Sequence, residues 1–167
     1  EGLHQFLGRA TIDPLPHWVE EGLAVLAEGF RIDGGLVTFE PSDNAMRVNT
    51  LRNALLGGRW RSAGRLAAMT SMQNLDESPF NGGDYYAQVW AMLLLIRSDA
   101  SYTAGLRRMC RDAADGTLAD ALGLAPLEYR RLQRDGAVYA AEIGPRAFRH
   151  YIDSDLDRFE RRYIAFA

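Results

Sequence analysis

Apolar residues recur every three to four positions along most of the chain, the spacing of one helical face. Val19, Leu23, Leu26 and Phe30 carry it first, and predict a helix from about His17 to Phe30 that opens in its first turn after Pro16. Before it, "TIDPLP" reads as a loop with two prolines, and the residues from Glu1 to about Gly8 read as the tail of an earlier helix ended by that glycine. "IDGGLVTFE" breaks the period with a Gly-Gly turn and a β-prone run, so a short strand or extended loop is expected near residues 35–40. Further helices are expected at about 45–56, 62–72, 83–98, 101–114, 117–122, 126–142 and 146–165. Asp84 and Ser101 are candidate starts, Gly116 a candidate stop, and Gly144-Pro145 a break between the last two helices. "LDESPFNGGD" is the one long polar connection. The pattern therefore predicts a mainly α protein, a single helical domain over residues 1–167, with helix-on-helix packing.

Composition narrows this little. Of the 167 residues, 47% are hydrophobic, enough for a sizeable core. The longest apolar run, "VWAMLLLI", is far short of the roughly 20 residues of a membrane span. The net charge is −3, and arginine pairs such as Arg107/Arg108 and Arg161/Arg162 sit among acids. They read as solvated helix faces, which argues against a nucleic-acid partner. Cys110 is a lone cysteine, so there is no internal disulfide and no cysteine-rich zinc site. No G-x-S-x-G elbow and no glycine-rich phosphate loop is present.

The chemistry lies near the start. "EGLH" has the form of the last four letters of H-E-x-x-H, in which two histidines one helical turn apart face one metal and the glutamate beside the first accepts a proton from water. Alone, E-x-x-H is a chance pattern. A second stretch, "PHWVEEGLAVLAEGF", follows, with sixteen residues between His4 and Glu21. Acids in a first helical turn also serve the helix dipole without any metal, and Glu20, about 100° around the helix from Glu21, is read as a solvent residue. His17 reads as a partly exposed residue of the helix start, and His150 as structural.

Together the two stretches resemble the gluzincin zinc metallopeptidases, in particular the peptidase MA-like families with a Trp-x-x-Glu-Gly-x-Ala pattern, matched here by Trp18, Glu21, Gly22 and Ala24. The resemblance implies the helical C-terminal half of a thermolysin-like catalytic domain. It implies zinc as cofactor, His4 and Glu21 as ligands and Glu1 as the base. The first histidine of the motif would then be the residue directly before Glu1, and a sheet would precede it. Trp18 would wall the site, and Gly22 would let helices approach closely. "GGDYYAQVWAMLLLI" is similar to the segment in which a tyrosine opens a long helix and donates to the oxyanion. By register this is Tyr86, with Tyr85 the alternative. The later helices, including "DALGLAPLEYRRLQRDGAVYAAEI", are similar to those of bacterial proteins of this group.

The activity so implied is hydrolysis of a peptide or protein substrate, in a protein acting outside the cytoplasm. With two of three protein ligands, the chain by itself is expected to hold zinc poorly and to be inactive. The alternative is a non-catalytic helical interaction domain derived from the same fold, docking through "RFERRYIAFA"; its Phe159, Tyr163 and Phe166 recur at helical spacing, which is read first as packing on the core.

Overall fold

The computed structural model describes residues 2–77 and 81–167. Glu1 and the Ser78–Phe80 part of the polar connection lie outside the described residues. The fold is mainly α with one two-stranded ribbon, as the pattern predicts.

Helices α1 (Gly2–Ala10) and α2 (His17–Ala27) pack on each other across the proline-containing loop. The ribbon follows: β1 (Phe30–Asp33) pairs antiparallel with β2 (Leu36–Phe39), Phe30 opposite Phe39 and Asp33 opposite Leu36. Gly34 and Gly35 turn it with φ of 55° and 84°, the positive values a type I′ hairpin requires at both central positions. The second helix thus ends three residues before Phe30, which opens the ribbon and is exposed. Gly29 permits this close turn, because a Cβ there would stand 2.5 Å from the Pro41 Cα.

Helix α3 (Ala45–Leu56) starts where Asn44 accepts from the Arg47 N–H. Helix α6 (Gly83–Ser98) is the centre of the core: Val89, Met92, Leu93 and Ile96 are all fully buried. A helix apolar on nearly every side must be covered on nearly every side, and α2, α3, α7 (Ala100–Asp115) and α11 (Leu156–Phe166) cover it. Among the described residues, no helix is long and apolar enough to cross a membrane.

Several boundaries differ from the periodicity. The first helix runs through Gly8 to Ala10. The helix expected at 62–72 is two: α4 (Ala63–Ala67) and α5 (Ser71–Glu77). Thr70 and Gln73 divide them with a capping box, the Thr70 N–H donating to Gln73 Oε1 at 2.8 Å and the Gln73 N–H to Thr70 Oγ1 at 3.2 Å. Past α7, which Gly116 stops at φ 71°, come α8 (Leu118–Ala121), α9 (Pro126–Leu132) and α10 (Gly136–Tyr151). Asp135 caps α10 by accepting from the Ala137 and Val138 N–H groups, so the break falls there, and Pro145 lies inside the helix. Its missing donor leaves the Ala141 carbonyl without a helical partner, and Ala141 is solvent-exposed. Asp99 rather than Ser101 caps α7, and Asp84 is not a cap but a buried carboxylate accepting from Arg59 Nε at 2.7 Å.

Candidate active site

Helix α1 is amphipathic and carries no buried residue; it lies against α2, and its Leu7 packs on the core. This contact turns His4 toward α2. Its Nε2 lies 3.4 Å from Glu21 Oε2, and the two side chains are 37% and 13% exposed. An imidazole and a carboxylate from adjacent helices therefore meet at the mouth of a cleft of about 310 Å³. Tyr86, from the first turns of α6, lines the same cleft, as do Ala24, Val25, Glu28 and Arg47.

The tyrosine pair separates cleanly. The Tyr85 ring is fully buried and its hydroxyl donates to the Met69 carbonyl at 3.3 Å. Desolvation drives its pKa far up, reinforced by the Glu21 carboxylate. Tyr86 packs edge-on against Tyr85, faces the cleft, and its hydroxyl makes no hydrogen bond to a described residue. Arg47 stands over the Tyr86 ring at 5.6 Å, held by Glu28 through Nε to Oε2 at 3.0 Å and Nη2 to Oε1 at 2.6 Å.

Packing places Trp18, Gly22 and Glu20 in ways the spacing does not show. Trp18 does not wall the cleft: it is fully buried, tilted against Phe148 at 5.3 Å, and its Nε1 has no hydrogen-bond partner. A large indole gains more from core burial than from a half-open cleft. Gly22 does permit close approach, but of α2 to α6, not to α1: a Cβ there would stand 2.5 Å from Leu93 Cδ2. Glu20 is half-buried rather than a free solvent residue. Burial raises its pKa, with His4 opposing and Glu21 adding to the rise.

The pattern reading puts His17 at the helix start and gives it no part in the site. Its Nε2 lies 3.5 Å from Glu21 Oε1 and accepts the Ser71 N–H at 3.0 Å. Ser71 Oγ, 3.3 Å from the same nitrogen, also reaches Glu21 Oε1 at 3.5 Å. The carboxylate thus has His4 on one oxygen and His17 with Ser71 on the other. Burial lowers the His17 pKa, against the pull of Glu21 and with that of His4. The neutral ring has Nε2 as acceptor and the proton on Nδ1. The signal was available: four positions separate His17 from Glu21, which places them about 40° apart around α2, closer than Trp18 at about 60°.

Tetrahedral zinc, with Zn–N and Zn–O bonds of about 2.0–2.1 Å, sets neighbouring ligand atoms about 3.3–3.4 Å apart. The His4 to Glu21 separation fits that spacing, and both side chains reach solvent. His17 does not add a third donor, because the Ser71 N–H occupies its Nε2 lone pair. Among the described residues, no group of three or more His, Cys, Asp or Glu side chains is arranged to hold a metal ion.

On the last helix Phe159 and Tyr163 are fully buried in the core, while Ile164 and Phe166 are exposed. Comparison with protein-family models, curated proteins and solved structures gives no match.

Proposed function

We propose that this chain carries two of the ligands of a gluzincin-type zinc peptidase site, and that a histidine preceding Glu1 completes the set. One observation carries the reading: His4, Glu21 and Tyr86, widely spaced in sequence, line one cleft, with His4 and Glu21 at zinc-ligand separation. A site of this kind needs an imidazole and a carboxylate aimed at one point, a hydrogen-bond donor beside it, and access from solvent.

Zinc there would supply Lewis acidity, polarising a carbonyl and lowering the pKa of water at its open position. The chain's residues would do the rest. Glu21 is oriented by Ser71, whose hydroxyl reaches the oxygen turned away from His4 at 3.5 Å. The Tyr86 hydroxyl, without another partner among the described residues, is available to donate to the oxygen of a substrate carbonyl as its negative charge grows. Glu1, by resemblance, would take a proton from water and pass it to the leaving amine. Arg47, neutralised by Glu28 and lying over the Tyr86 ring, would hold that tyrosine in place.

The test is zinc titration of the protein extended upstream in its natural sequence, with peptide hydrolysis followed in parallel. Near-stoichiometric zinc is expected, with Glu21→Ala and His4→Ala each weakening it by more than the roughly 10–100-fold typical of an outer-shell loss. Zinc affinity untouched by Glu21→Ala, or a residue other than histidine before Glu1, would overturn the reading.

A further inference from the structure

A second, larger cavity opens behind the cleft. It measures about 490 Å³ and lies between the start of α2, the start of α5 and the start of α10. Its walls are mostly apolar, formed by Leu15, Met72, Ala137 and the Tyr139 ring. His17 and Ser71 also line it, and both reach Glu21 Oε1 at 3.5 Å from the other side. The cavity therefore begins one side chain away from the candidate metal ligand.

Its charged group is Glu20. Other acids of the fold have a partner: Asp84 has Arg59, Asp153 has Arg158, Glu160 has the Trp60 indole and the Ala63 N–H, and Asp112 has the Tyr151 hydroxyl. Glu20 is half-buried and makes no hydrogen bond or ion pair with a described residue, and no arginine lines its cavity. Removing a carboxylate from water without a partner is unfavourable. A mostly apolar cavity that holds a carboxylate without a partner is complementary to a side chain with a methylene stem and a cationic head.

We propose that this cavity is a substrate subsite that accepts a lysine or arginine side chain of the peptide, with Glu20 as its counter-charge. The proposal rests on the peptidase reading above for the word substrate, and on the cavity alone for the cation. The stem lies along Leu15 and Met72, and the head reaches Glu20, while the backbone of the same residue passes His17 and Ser71 toward Glu21. Selectivity would then favour peptide bonds next to a basic residue, and an acidic side chain would be repelled.

The experiment uses the metal-free protein and two small probes, Nα-acetyl-arginine amide and Nα-acetyl-norleucine amide, the second matching the stem without the charge. Amide NMR shifts at Ser71 and Ala137 report binding. The arginine probe is expected to bind at least about tenfold more tightly than norleucine, and Glu20→Gln is expected to erase that difference. Equal binding of the two probes, or arginine binding that ignores Glu20→Gln, would overturn the proposal. Zinc titration separates the two ideas. Zinc bound through His4 and Glu21 with no arginine preference defeats the subsite alone. Arginine preference without such zinc binding defeats the peptidase reading, and with it the substrate role, while the cation pocket stands.

Discussion

Leu93 of α6 fills the notch that Gly22 leaves in α2, so closely that a Cβ on Gly22 would stand 2.5 Å from its Cδ2 and 2.7 Å from its Cγ. Glu21 is the neighbour of this contact, and the contact fixes how far α2 stands from α6 and hence from Tyr86. Gly22→Ala gains helix propensity of roughly 0.5–1 kcal/mol but overpacks the junction by roughly 1–3 kcal/mol. The expected net loss is about 1–2 kcal/mol in chemical denaturation. Leu93 can yield, since the clash is with its flexible end. The double variant Gly22→Ala/Leu93→Ala should therefore lose less than the sum of the single changes. Additive losses would show that the two residues do not meet.

Gly144 makes a harder junction. A Cβ there would overlap the Ala67 carbonyl oxygen, with the Trp18 ring also near at 3.6 Å. Here the neighbour is backbone and has no rotamer to change. Gly144→Ala is expected to cost about 3 kcal/mol or more, clearly beyond Gly22→Ala, since α10 must lift off α4. Denaturation midpoints of the two variants side by side decide it: equal losses would mean that α10 is free to shift.

These two glycines show what the sequence could and could not announce. Helices with a local signal were legible: α3 and α6 begin and end where periodicity puts them, and Gly116 stops α7 in the left-handed conformation. The split at Thr70 was also written locally, as Thr-x-x-Gln, and was masked by the apolar run on either side. Gly144-Pro145 misleads, because what decides there is the approach of Ala67, a residue far away in the chain. The site divides likewise. The meeting of His4 and Glu21 followed from two spaced half-motifs. That Trp18 turns inward, and that Ser71 and Arg47 complete the surroundings of Glu21 and Tyr86, depends on tertiary packing that no spacing encodes.

Acid should weaken the junction of α7, α10 and α11 in particular. Asp153 is buried, which by itself would raise its pKa, but Arg158, the Tyr102 hydroxyl at 2.6 Å and the Asp155 N–H outweigh that and hold it below the ordinary value. A carboxyl with a folded pKa below its unfolded value of about 3.9 contributes stability that is complete above that value. The contribution is lost as pH falls through the lower, folded pKa. Wild-type stability should thus drop more steeply as pH falls below about 4 than that of Asp153→Asn, which has no such proton to take up. Parallel pH profiles for the two proteins, measured by urea denaturation, would contradict this.

The adjacent tyrosines give opposite expectations from the same substitution. Tyr85→Phe removes a buried hydroxyl that donates to the Met69 carbonyl, so stability should fall by about 1 kcal/mol, while zinc affinity in the upstream-extended protein stays near wild type. Tyr86→Phe removes a hydroxyl that faces the cleft and has no partner among the described residues, so stability should hold. If Tyr86 donates to the oxyanion, kcat for peptide hydrolysis should fall by roughly 10²–10³-fold with KM little changed, the pattern of an interaction made only in the transition state. A rise in KM at constant kcat would instead make Tyr86 a binding surface for the peptide. A loss confined to Tyr85→Phe would mean that the buried ring, stacked on His17 at 6.0 Å, governs the site by holding that histidine against Ser71, whose hydroxyl reaches Glu21.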